Sequence, residues 1–143
     1  IMATNAKFGY GTLVKRGDGG APETFTTIAE LVGEIAFDGM EAEEIDVTTH
    51  NNAVNGRFRE KLPGLIDPGN LNFELNYVAN DVTHISVRNA WLAQTKKNFQ
   101  ILSPTNDLIT VSGYIMSMPI KYPTDNAINA TIKIMITGAP VFS

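Results

Sequence analysis

EIDVTTHNNAVNGRFREKLPGLIDPGNLNFELNY, Glu44 to Tyr77, is the stretch on which the fold turns. It ends in strict alternation, with Leu71, Phe73, Leu75 and Tyr77 set against Asn72, Glu74 and Asn76. That is the period of a half-buried β-strand. It begins with a shorter strand pattern around Ile45 and Val47. Between the two lies a polar segment that reads as a long irregular arm, about residues 49–70. Its parts are a loop over His50–Gly56, a turn or two of helix over Arg57–Leu62 ended by Pro63, and an Asp67-Pro68-Gly69 turn. Compact domains seldom carry so long an irregular connection without a function for it.

Toward the N-terminus, Phe8–Val14 reads as a strand, Lys15–Pro22 as a turn cluster, and Thr24–Phe37 as one long strand bent or bulged at Gly33. Toward the C-terminus, Asp81 or Thr83 can cap a helix running to about Lys97. Val87, Ala90 and Trp91 fall on one side of it, with Ile85 and Leu92 nearly opposite. A second apolar stripe fits contact with another chain, and equally a helix buried within the monomer. Asn98–Leu102, Leu108–Met118 and Ile128–Gly138 complete about seven strands. The expected fold is mainly β: an antiparallel β-sandwich or open barrel with one flanking α-helix, about residues 82–97. Its long strands would leave free edges, a liability in a lone monomer.

The 143 residues fit one domain, and 43% hydrophobic against 18% charged residues is a globular composition. No apolar run approaches the roughly 20 residues of a membrane span, and no secretory signal is evident, so no membrane binding is expected of this chain. Cysteine is absent, which removes thiolate chemistry and cysteine metal sites. Eleven basic against fifteen acidic residues, net charge −4, argue against a surface built to grip phosphates. His50 sits among amides and His84 at the helix start, where a solvated or N-terminal polar role is the simplest reading, and both read as structural. No HExxH, EF-hand or phosphate-loop pattern occurs. Asp38, Glu41, Glu43, Glu44 and Asp46 read as a solvated acidic turn rather than a catalytic pair. No catalytic residue, metal ligand or cofactor is therefore expected. Arg57, Arg59 and Lys61 form a small basic group suited to an acidic surface on a neighbouring copy.

IDVTTHNN (Ile45–Asn52) followed by FREKLPGLIDPGNLNFELNY (Phe58–Tyr77) resembles the major tail tube proteins of long-tailed, non-contractile, lambda-like bacteriophages. HISVRNAWLAQTKKNFQIL (His84–Leu102), VSGYIMSMP (Val111–Pro119) and INATIKIMITGAP (Ile128–Pro140) follow in that family's order. The resemblance spans Phe25 to Pro140 and departs at Val78–Asp81, where relatives turn with Asp-Pro. It implies a single tail-tube domain over 1–143, without the immunoglobulin-like domain some relatives append. The fold is shared with contractile tail tube and type VI secretion tube proteins.

The resemblance also implies a structural virion protein that polymerises as stacked hexameric rings, a conduit for genome ejection, assembled in the bacterial host cytoplasm. Its partners would be itself, double-stranded DNA passing without specific binding, and the tape measure, tail terminator and tail tip proteins. Asn72, Glu74, Asn76, Asn129 and Thr131 are the expected bore-lining residues. His50, Asn51, Asn52, Arg57, Phe58, Arg59, Lys61 and Asp67 are the expected arm contacts between subunits, and Ile85 and Leu92 the expected helix interface. A monomeric β-sandwich module recognising a host-surface carbohydrate or protein is the alternative.

Overall fold

A computed structural model describes residues 9–20, 22–38, 40–48 and 58–143. His50, Asn51, Asn52 and Arg57 lie outside them. Eleven strands and one helix are present among the described residues. In chain order they are β1 (Leu13–Gly17), β2 (Phe25–Thr27), β3 (Leu31–Asp38), β4 (Glu41–Asp46), β5 (Lys61–Asp67), β6 (Asn70–Asn76), α1 (Val82–Ala93), β7 (Lys97–Leu102), β8 (Leu108–Ser117), β9 (Ile120–Lys121), β10 (Asn129–Ile136) and β11 (Val141–Phe142). The main sheet runs β2-β1-β7-β8-β10-β6-β3, all antiparallel, with β11 on β8 and β9 on β10.

The two ends of this path, β2 and β3, are joined by only Ile28, Ala29 and Glu30. The Ile28 amide donates to the Val14 carbonyl on β1 at 2.9 Å, and the Asn76 amide on β6 donates to the Glu30 carbonyl at 2.9 Å. The connection thus touches both ends, and the sheet curls into an open barrel. Its concave face holds Val14, Phe73, Leu71, Leu75, Phe99, Val111, Ile115, Ile132 and Ile134, all essentially buried. Helix α1 packs on β8 and adds Val87 and Ala90 to this core, with Trp91 partly buried against it. Burying each large aliphatic or aromatic side chain stabilises the fold by about 1.5–3 kcal/mol.

Several boundaries differ from the sequence expectation, each for a local reason. The expected long strand Thr24–Phe37 breaks at Ile28–Glu30, where Glu30 takes φ 62. Gly33, at φ 68, does sit in a bulge: register with β6 shifts between Val32 and Ala36, so three residues oppose Phe73. The first strand is Leu13–Gly17, later than Phe8–Val14, because Lys15 and Arg16 pair with Gln100 and Phe99.

The helix stops at Ala93, not Lys97. Gln94 adopts a left-handed cap at φ 51 and Lys97 already pairs with Gly113 on β8. The arm is not irregular throughout, and Arg57–Leu62 supplies no helix among the described residues. Lys61–Asp67 is a strand paired with β4. Pro63 and Gly64 hide it from a strand search, yet a two-stranded ribbon is all edge and tolerates proline.

The start of α1 locks the barrel closure. Asp81 is the N-cap, its side chain accepting from the amides of Thr83 (2.9 Å) and His84 (3.3 Å). The Thr83 hydroxyl donates to the Asp81 carboxylate and accepts from the Ala29 amide at 3.1 Å. His84 is fully buried, so of the two roles expected of it the structure supports the polar one at the helix N-terminus and not the solvated one. Its Nδ1 accepts from the Val78 amide at 3.0 Å, so Nε2 carries the proton and donates to the Ala29 carbonyl at 2.6 Å. Tyr77 stacks on its ring, centroids 6.0 Å apart.

Candidate assembly surfaces

Among the described residues, three surfaces of the subunit lack partners: the convex face of the sheet, the β4–β5 ribbon and the outer side of α1.

The convex face is built by strand alternation. With Leu71, Phe73 and Leu75 turned into the core, Asn72, Glu74 and Asn76 must point outward. On β10 the same rule turns Asn129, Thr131 and Lys133 outward from Ala130, Ile132 and Ile134. The ladder places these residues opposite one another: Asn129 faces Asn76, Thr131 faces Glu74, and Lys133 faces Asn72. The five residues expected to line a bore therefore form one continuous polar patch. On β3, Ala36 and Asp38 extend it, and the Asn72 side-chain amide donates to the Asp38 carboxylate at 3.2 Å. Lys133 forms no ion pair among the described residues. Tyr114 and Met135, paired across β8 and β10, continue the face in a less polar character.

The β4–β5 ribbon pairs with itself alone. Asp38 on β3 and Asn70 on β6 are register partners, so everything between them is an insertion into a β3–β6 hairpin. Its base is set by an Asx turn, the Gly69 amide donating to the Asp67 carboxylate at 2.9 Å. Of the expected arm contacts, Phe58 is 81% exposed and Arg59 is exposed. Lys61 is engaged within the arm, its Nζ 2.7 Å from Glu44, whose carboxylate raises the lysine above its ordinary value. It is thus not free for an acidic neighbour in the isolated subunit. What the sequence reading missed is the apolar content: Leu62, Leu65 and Ile66 stand 56%, 83% and 67% exposed on β5. The signal was the LPGLI run, Leu62 to Ile66, which the sequence reading split between a helix ended by Pro63 and the turn at Asp67-Pro68-Gly69.

On α1, Thr83, His84, Val87 and Ala90 are buried. The opposite stripe is uneven: Leu92 is 67% exposed, while Ile85 is half-buried. Val82, 70% exposed, joins the outward side. No group of three or more potential metal ligands occurs among the described residues, and no helix among them is long and apolar enough to cross a membrane.

The family described as "Lambda phage tail tube protein, TTP" matches residues 12–143. No curated protein matches the sequence. Among solved structures, the fold is similar to the tail of an empty GTA particle, determined with C6 symmetry, at TM-score 0.77 and 22% identity over 96% of this chain and 99% of that one. A contractile injection system structure, PVC sheath/tube terminator in the extended state, aligns at TM-score 0.72 and 11% identity, covering 99% of each chain. The SPP1 tail tube aligns at TM-score 0.60 and 12% identity over 92% of this chain and 75% of that one.

Proposed function

Because the chain belongs to the lambda phage tail tube protein family, and is a structural protein of the virion tail rather than an enzyme, we propose that it polymerises as stacked hexameric rings whose polar convex face lines the bore. The observation that carries the bore assignment is the register of β6 on β10, which gathers Asn72, Glu74, Asn76, Asn129 and Thr131 into one outward patch. Amides, a hydroxyl and a carboxylate solvate passing DNA without neutralising its phosphates, and retention needs such neutralisation. The C6 symmetry of the GTA tail supports six copies per ring. Neighbours in structures of a tube terminator, a cap and a baseplate support partners of those kinds at the tube's ends. A head-to-tail contact that closes by rotation gives such rings, and closure removes the exposed strand edges.

In this reading the arm bridges subunits, placing Phe58, Arg59 and Leu65 against another copy, and Leu92 on α1 meets an adjacent subunit. Negative-stain microscopy of concentrated protein tests the assembly, with hollow tubes as the expected result. A strictly monomeric species across a wide concentration range by light scattering, with native tails built from another protein, would overturn it. The alternative of a host-surface binding module has the family match against it.

A further inference from the structure

Between α1 and the β1–β7 ladder lies a cleft of about 340 Å³, bordered by Arg16, Lys97, Ser86, Asn89, Ala93 and Thr95. Arg16 is the register partner of Phe99, and Lys97 precedes Phe99 by two residues on the same strand. Alternation puts both cations on the helix side of the sheet, diagonal to each other. Neither forms an ion pair among the described residues, and the buried Arg16 Nε finds no hydrogen-bond acceptor. Asp18, the one carboxylate bordering the cleft among the described residues, is already committed. It accepts from the Gly20 amide at 2.8 Å and the Thr24 amide at 3.0 Å, and those amides, more than Arg16, hold it below its ordinary value. The carbonyl end of α1 offsets only part of two like charges. A desolvated guanidinium N–H and a nearby ammonium without a counterion make a site for an anion.

The convex face points away from this cleft, so a phosphate in the bore cannot reach it. The arm, however, carries matching chemistry. Glu41, Glu43, Glu44 and Asp46 crowd β4. Glu44 is taken by Lys61 and Asp46 by the Thr48 amide at 2.9 Å. Glu41 and Glu43 remain exposed, and border the same shallow depression as Leu65 and Ile66. We propose that the Arg16–Lys97 cleft is the socket that receives Glu41 and Glu43 from the arm of another copy of this chain. The inference rests on the tube reading and names the receptor for its arm. Carboxylates enter the cleft beside Arg16 and Lys97 while Leu65 and Ile66 cover the apolar wall at Ala93.

Charge reversal tests it. Arg16→Glu, Lys97→Glu and the pair Glu41→Lys/Glu43→Lys should each fold, by circular dichroism and thermal melting of the monomer. Each should reduce sedimentable tubes at least about tenfold, one order of magnitude per 1.4 kcal/mol of lost contact. Combining Arg16→Glu with Glu43→Lys should restore them. Because the protein contains no cysteine, Asn89→Cys and Glu43→Cys can be mixed as single variants. A disulfide heterodimer, distinguished by mass, is expected in assembled tubes. Folded reversal variants that sediment like wild type would overturn the socket alone. So would reversals that leave assembly intact but change retention of double-stranded DNA, which would make phosphate the occupant. If Arg16→Glu fails to fold, the heterodisulfide decides, and its absence from tubes overturns the proposal. Wild-type protein that forms no tubes would overturn the tube reading, and the socket with it.

Discussion

Single atoms give Gly113 and Asp81 more exact roles than pattern reading could. Gly113, inside the VSGYIMSM strand, has φ in the ordinary range, yet a Cβ there would sit 2.3 Å from the Met135 carbonyl oxygen and 3.0 Å from Ile134 Cγ2. Backbone in a ladder cannot retreat as a flexible side chain can, so Gly113→Ala must open β8 from β10. A loss of about 1–3 kcal/mol in urea denaturation of the monomer is expected, the usual cost of overpacking. Asp81 is held below its usual carboxyl value near 3.8, first by the Thr83 hydroxyl and then by the amides of His84 and Thr83. A depressed folded-state value means the cap contributes stability above about 3.8 that is lost as pH falls through the folded value. Asp81→Asn keeps an acceptor for the amides but does not titrate. Its urea midpoint should therefore fall less steeply in acid than that of wild type, and parallel curves would refute the assignment. The cap at Asp81 was legible in the sequence, although its bond to the Thr83 hydroxyl was not; the constraint on Gly113 was not, because it depends on atoms brought from another strand.

At the scale of elements, legibility followed burial. β6 and β8 were readable within about a residue, and β10 within two, because one face of each is sealed in the core, and that seal is what writes alternation into a sequence. β5 was not readable, since a ribbon exposed on both faces has no inside to mark. The break at Ile28–Glu30 was invisible because Thr24–Phe37 keeps β-type residues through a turn made by an unfavourable φ at Glu30. Of the site, the outward direction of the convex-face residues followed from alternation, while their union into one patch needed the pairing of β6 with β10. The cationic cleft and the apolar side of the arm did not, because they depend on which strands become neighbours. The arm's status as an insertion carries its own prediction. Since Asp38 and Asn70 already pair, replacing residues 40–67 with a short Gly/Ser turn should leave the barrel intact. The unfolding free energy should change by no more than about 1 kcal/mol, because closing a shorter loop costs no more than closing a long one. Tubes should be lost. A truncated subunit that still builds tubes of normal diameter would show that the arm does not hold copies together.

For the whole molecule, the proposed bore role of the convex face belongs to a ring and not to one subunit. Six copies of a near-neutral patch make a corridor; six copies of a basic one make a trap. Glu74→Lys together with Thr131→Lys, opposed in the β6–β10 ladder, should leave assembly unchanged but let tubes retain double-stranded DNA. The logarithm of the binding constant should fall with the logarithm of salt by about 0.9 for each added phosphate contact. Tubes that stay inert to DNA would place this face elsewhere than the bore. The sheet order has a further consequence, for timing. β10, near the C-terminus, is the strand inserted between β8 and β6. Until residues 129–136 have been synthesised, the strand pairs on either side have no ladder joining them. A nascent chain emerging N-terminus first therefore cannot present a finished convex face before β10 has followed the earlier strands. In the order of synthesis the convex face is thus completed only after β1–β8 have all been made.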